Sequence, residues 1–111
     1  MVDTGYIIHA DQTLALVDRA LAGRPLAEVV NTHLHSDHCG GNAALSRATG
    51  AVVAVPPGLA GAVAAWDDEA LSFQRTGQRM EPFGHQQVLH PGDALVAGGR
   101  AWEVLAAPGH D

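Results

Sequence analysis

Within six residues this chain places His33, His35, Asp37 and His38 in the pattern HxHxDH. Four donors so close together constrain the fold, because the backbone around them must bring imidazole nitrogens and a carboxylate to one point. Side chains alternate faces along an extended segment, so His33, His35 and Asp37 are expected to share a side, with His38 joining them where the chain turns. Gly40 and Gly41 are expected to supply that turn. Neutral imidazole and carboxylate together form the donor set favoured by zinc, with iron and manganese as competitors, and a catalytic zinc keeps three protein ligands and one open position. Ser36 or Asp37 acting as a plain helix N-cap is the bland reading, but it leaves three clustered histidines without a purpose.

A second element lies far along the chain, where the strand-like run Ala101 to Ala106 ends in Ala107-Pro108-Gly109-His110. Pro-Gly alone is ordinary turn chemistry. Combined with the first cluster, His110 supplies the third donor of a three-histidine set with His33 and His35, while Asp37 and His38 form two-thirds of a second set. Water bound to such ions is acidified toward neutrality, so hydrolysis is the natural chemistry, and Asp37 is the expected catalytic carboxylate, orienting the nucleophile.

The surrounding pattern reads as α/β. His9 to Ala22 carries Ala10, Leu14, Val17 and Leu21 at helical spacing and is closed by Gly23, with Pro25 beyond. Ala27 to Thr32 predicts a short strand that feeds the histidine loop, a placement typical of functional loops held by a rigid scaffold. Asn42 to Ala48 reads as a helix stopping at Gly50, Ala51 to Val55 as a buried strand broken by Pro56-Pro57, and Gly58 to Leu71 as one or two Ala-rich helices. Val88-Leu89, Ala94 to Ala97 and Ala101 to Ala106 predict short strands, with Gly98-Gly99 a hairpin turn, so an antiparallel meander is expected to lead to His110.

With 111 residues the chain is at most one domain, and its 47% apolar content leans on alanine rather than on aromatics, which are 5%. Six basic residues against twelve acidic give a formal charge of −6, and without a basic block to meet phosphates no nucleic-acid partner is expected. No run of about 18 apolar residues predicts a membrane span, and the N-terminus lacks the basic and apolar regions of a signal peptide. A single cysteine cannot form an intramolecular disulfide; together these features lead to the expectation of a cytoplasmic protein acting on a small molecule.

Val2-Asp3-Thr4-Gly5, then Thr32-His33-Leu34-His35-Ser36-Asp37-His38-Cys39-Gly40-Gly41-Asn42, then Pro108-Gly109-His110-Asp111 together resemble the metallo-β-lactamase superfamily. HxHxDH followed by Gly-Gly is specific; the other two elements are weak singly and gain from their order. The resemblance implies an αββα sandwich with the site at one edge, in which His33, His35 and His110 hold one metal, Asp37 and His38 hold a second, and Asp3 supports the ligands from a strand end. It implies zinc, two ions in the complete protein, and hydrolysis of a small ester, thioester or lactone in the manner of glyoxalase II. A mononuclear iron dioxygenase of the persulfide type is the alternative that it also allows, and a third is a metal-binding fragment without activity of its own. His35 stands where the oxygen-reducing diiron branch would carry glutamate. The bridging aspartate, the last histidine and the strands that precede the Asp-Thr-Gly element in the family have no counterpart here. Residues 1–111 are therefore expected to form a partial domain whose uncovered sheet edges favour homo-oligomers.

Other residues carry weaker expectations. Cys39 reads as a small buried hydrophobe, with a thiolate ligand the alternative. His9, His85 and His90 read as surface or supporting residues. Trp66, Phe73, Arg75, Arg79, Met80 and Phe83 read as a helix-loop excursion whose aromatics pack, with a substrate lid the alternative.

Overall fold

The computed structural model describes residues 1–110; Asp111, which closes the Pro108-Gly109-His110-Asp111 element, lies outside the described residues. A 3-10 turn at Ile7–His9 runs into α1 (Ala10–Leu21). The helix ends at Ala22, which is left-handed at φ 49°, and the Arg24 guanidinium donates to the carbonyls of Leu21 and Ala20 at 2.9 and 3.3 Å. Those carbonyls have no partner within the helix, so the arginine satisfies them.

Three short strands make a wholly parallel sheet. β1 (Glu28–Val30) pairs with β2 (Val52–Val55), which pairs with β3 (Gln87–Val88), and Val2 forms an isolated parallel bridge to Val30 on the outer side of β1. Between β1 and β2 the chain makes α2 (Ser36–Cys39) and α3 (Asn42–Thr49), the latter ended by left-handed Gly50 at φ 71°. Parallel strands need such crossovers, and here the side chains of one sheet face are fully buried while Val30 and Val52 on the other are half-buried. Val29, Val53 and Val55 are accordingly fully buried.

Val29 is in register with Val53, so their side chains share a face. Leu26, Val29, Leu45 and Ala51 form one buried cluster there, flanked by Leu14, Val17 and Leu21 of α1. A larger cluster joins Leu34, Cys39, Ala43, Val53 and Val55 to Ala60 and Val63 of α4 (Ala60–Ala65), Leu71 of α5 (Asp68–Leu71), Phe73 and Phe83. Asp67 caps α5 through Oδ1, which accepts the amides of Glu69 and Ala70 at 3.1 Å each. The Ala-rich stretch thus forms two helices. The segment that follows packs through its aromatics: Trp66 stacks on Phe73 at 6.1 Å between ring centroids and meets Phe83 edge-on at 5.5 Å.

The expected antiparallel meander is only half present. β4 (Ala94–Ala97) and β5 (Arg100–Glu103) form an antiparallel hairpin with Gly98-Gly99 at its turn, both at positive φ. β3 does not belong to it; it joins the other sheet in parallel, with Leu89 N donating to Val55 O at 2.9 Å. Periodicity in a short strand reports which faces are buried, and says nothing of which neighbour supplies the hydrogen bonds. No helix among the described residues is long and apolar enough to cross a membrane.

Candidate metal centre

β1 ends at Val30, and Asn31 still donates its amide to Ala54 O at 2.9 Å, so the sheet holds the chain up to the threshold of the histidine loop. From there the side chains alternate: Leu34 is buried in the core cluster, while half-buried His33 and His35 lie on the opposite side. His33 Nε2 faces His35 Nδ1 at 3.1 Å. The His110 ring stands nearly perpendicular to both, with centroids 4.9 and 5.0 Å away. One nitrogen from each of these three residues lies within 4.8 Å of the others. Two nitrogens bound to one tetrahedral zinc at its usual bond length stand about 3.3 Å apart, so the His33 and His35 pair fits such an ion closely.

Alternation stops before Asp37, which corrects the expectation that it shares an extended face with His33 and His35. His35, at φ −78° and ψ 152°, is the N-cap of α2, whose single turn carries Asp37 and His38. Helical geometry replaces strand parity there, and exposed Asp37 meets His38 instead: its Oδ2 lies 3.5 Å from His38 Nε2. Neither Ser36 nor Asp37 caps the helix. His38 and His33 rings are 3.9 Å apart, so the two sets adjoin. Among the described residues, Asp37 and His38 form no larger donor group, and the three-histidine set is the one such group.

Gly40 and Gly41 make the turn between α2 and α3, and they make it with ordinary dihedrals. Their φ values are −62° and −88°, which any residue adopts. What they provide is room: a Cβ on Gly40 would sit 2.5 Å from both Ile7 N and Ser36 O, and one on Gly41 would sit 2.7 Å from Thr4 O. The missing side chains let the N-terminal segment lie directly against the end of α2.

That approach brings Asp3 to the histidines. Asp3 is left-handed at φ 53°, and its Oδ2 accepts from His38 Nδ1 at 2.8 Å and from Thr32 Oγ1 at 2.8 Å, while Oδ1 accepts the Thr32 amide at 2.9 Å. The tautomers follow. With its single proton given to the carboxylate, the stronger acceptor, Thr32 Oγ1 accepts from His33 Nδ1 at 3.1 Å. On this assignment His33 carries its proton at Nδ1 and turns Nε2 toward His35 Nδ1, and His38 likewise donates through Nδ1 and turns Nε2 toward Asp37. Carboxylates behind metal-binding imidazoles commonly fix tautomer and ring orientation in this way. The supporting position of Asp3 was legible in the sequence, whereas Thr32 gave no signal beyond lying next to His33.

Cys39 is buried, and its thiol donates to His35 O at 3.2 Å, back toward the start of α2. His9 and His90 are exposed, His90 lying 3.8 Å from Asp93, and His85 is half-buried beside β3. None of the three belongs to the donor group.

The sequence profile of the Metallo-beta-lactamase superfamily matches residues 1–111. A hydroxyacylglutathione hydrolase of Rhodobacter capsulatus is 38% identical over 85 residues, which cover 77% of this chain and 26% of that protein. A hydroxyacylglutathione hydrolase of Hyphomonas neptunium is 25% identical across 96% of this chain and 39% of its own length. Among solved structures, a class B3 di-zinc metallo-beta-lactamase from an Alaskan soil metagenome superposes with a TM-score of 0.77 at 27% identity, covering 98% of this chain and 42% of that one. A metallo-beta-lactamase of Cronobacter sakazakii gives 0.76 at 25% identity, covering 97% and 42%. The chain therefore spans between about a quarter and two-fifths of the length of these relatives. Its histidine constellation, its mixed α/β architecture and a family match along the whole sequence agree, and the chain belongs to the metallo-β-lactamase superfamily.

Proposed function

We propose that this chain forms the zinc-holding face of a metal-dependent hydrolase that cleaves a small thioester, ester or lactone. The observation that carries the reading is the convergence of His33, His35 and His110, with donor atoms within 4.8 Å and the His33 and His35 nitrogens at a separation that suits one tetrahedral ion. His33, His35 and His110 would hold the first zinc, and Asp37 with His38 would give two donors to a second. When bound, such ions supply an acidified water and an electrophile for the scissile carbonyl.

The remaining work falls to the chain itself. Thr32 and Asp3 keep the protons on His33 Nδ1 and His38 Nδ1, so that both Nε2 atoms stay available as donors. The Asp37 carboxylate, exposed at the start of α2, orients the attacking water and takes up its proton. Thioesters lead among the substrates because both curated relatives are hydroxyacylglutathione hydrolases.

Elemental analysis of the purified protein, paired with hydrolysis of a hydroxyacylglutathione thioester followed by thiol release, tests the proposal. Bound zinc and thiol release abolished by a chelator are expected. Protein that holds no zinc, or a rate indifferent to chelation, would overturn it, and iron with oxygen consumption in place of hydrolysis would move the site to the dioxygenase reading.

A further inference from the structure

The three imidazoles of the metal centre are not delivered in the same way. His33 follows closely on β1, with Nδ1 at 3.1 Å from Thr32 Oγ1, and Thr32 is itself anchored on Asp3 through its amide and its hydroxyl. The His35 carbonyl accepts the amides of His38 and Cys39 at 2.9 and 3.0 Å, which ties its backbone to the turn of α2. His110 arrives on a segment of another kind. Beyond Val104, whose amide donates to Asp93 O at 2.9 Å, residues 105–110 are all exposed, Leu105 by 73%, and their backbone makes no hydrogen bond among the described residues.

The hairpin that carries this segment is also set apart. β4 and β5 pair with each other alone, are mostly exposed, and neither buried cluster takes a residue from beyond Val88. After Leu89, whose amide donates to Val55 O, the hydrogen bonds turn inward: Asp93 N donates to His90 O, His90 N to Asp93 Oδ2, and Gly92 N to Val104 O. Away from the histidine centre, no hydrogen bond or ion pair among the described residues joins residues 90–110 to the rest of the chain. What meets the body is the His110 ring, edge-on to His33 and His35 at 4.9 and 5.0 Å. Ordering a backbone costs entropy at every residue, and edge-on imidazole contacts are too weak to offset that along the whole segment. An ion shared by the three rings is strong enough.

We infer that metal binding docks this arm: residues 105–110 are a tether that is mobile in the metal-free protein, and His110 closes onto the pair His33 and His35 together with the ion. Occupancy of the three-histidine site and order in the tether are then one equilibrium, and the structure records its docked side. The inference rests on the metal-centre reading above. Coupling of this kind runs both ways, so a tether that resists the docked backbone weakens the metal. Gly109 is the position that separates backbone from donors. Its φ is 119°, which an L-residue adopts only with strain, yet a Cβ there would meet nothing within 4 Å. Gly109→Ala therefore keeps all three imidazoles and acts on the docked backbone alone.

Backbone amide nitrogen relaxation of the purified protein, with and without zinc, reads the tether directly. In the metal-free protein the heteronuclear NOEs of Leu105, Ala106, Ala107, Gly109 and His110 are expected to lie well below those of β1 and β2. Zinc is expected to raise them to the level of the sheet, and in His110→Ala they stay low with zinc present. Gly109→Ala, measured by chelator competition, is expected to bind zinc about 5- to 30-fold more weakly, the scale of one residue forced into left-handed backbone. The thermal melt of that variant without metal is expected to match wild type. A tether as ordered without zinc as with it, or one still mobile in protein that holds zinc, overturns the inference and leaves the hydrolase reading standing; so does wild-type affinity in Gly109→Ala. Protein that takes up no zinc by elemental analysis removes the metal-centre reading and the inference with it.

Discussion

Asp3 Oδ2 and His38 Nδ1 lie 2.8 Å apart although 35 positions separate them in the chain. Asp3 adopts φ 53° in reaching that position, a conformation that costs most L-residues about 1 kcal/mol and that aspartate tolerates better than most. The carboxylate is expected to matter for metal affinity without touching the metal. Asp3→Ala should lower zinc affinity about 10- to 100-fold, read by competition with a chromogenic chelator. An unchanged affinity would show that Thr32 alone orients the rings.

Replacing either His33 or His35 by alanine removes one of the two nitrogens that face each other at 3.1 Å. Zinc content after dialysis is expected to fall from about one tightly held ion to near none, since water does not replace an imidazole donor without loss of affinity. Equal zinc in wild type and both variants, measured by elemental analysis, contradicts the assignment.

Asp37 is exposed, so Asp37→Ala is expected to shift stability by no more than about 0.5 kcal/mol. Thioester hydrolysis is expected to drop by at least about 100-fold, the scale of a lost general base. Thermal melts beside initial rates check both halves, and a rate within a few-fold of wild type removes Asp37 from the chemistry.

Gly40→Ala would force a Cβ to within 2.5 Å of backbone atoms of Ile7 and Ser36, neither of which can swing aside. Destabilisation of about 1–3 kcal/mol or more is expected, with weakened zinc binding because the N-terminal segment is pushed off α2. Gly58→Ala, at a site with nothing within 4 Å, is the control. Urea melts of the two variants that coincide would show that the close approach is dispensable.

Much of the centre could be read locally, and the reasons differ by residue. His33 and His35 were legible because residues two apart in a non-helical segment tend to point to the same side, and buried Leu34 between two half-buried histidines follows the same rule. Asp37 was given its partners by carrying that alternation too far. A one-turn helix of four residues, Ser36–Cys39, leaves too short a periodic signal to announce itself. The Gly-Gly pair marks a turn in the sequence, but its dihedrals are ordinary and the need for glycine there comes from what packs against it.

The sequence by itself determined the donor types, their local spacing and the alternation of helix and strand, because imidazole chemistry, turn residues and hydrophobic period act over a few positions. Tertiary structure decided what those elements meet. It brought His110 to His33 and His35, sent β3 into the parallel sheet rather than the hairpin, and closed Thr4 onto Asn42 across 38 positions. Strand partners and buried hydrogen bonds of that kind depend on which distant groups are available once the core has formed, and a threonine or an asparagine carries no local mark of whether it will end in water or in such a network.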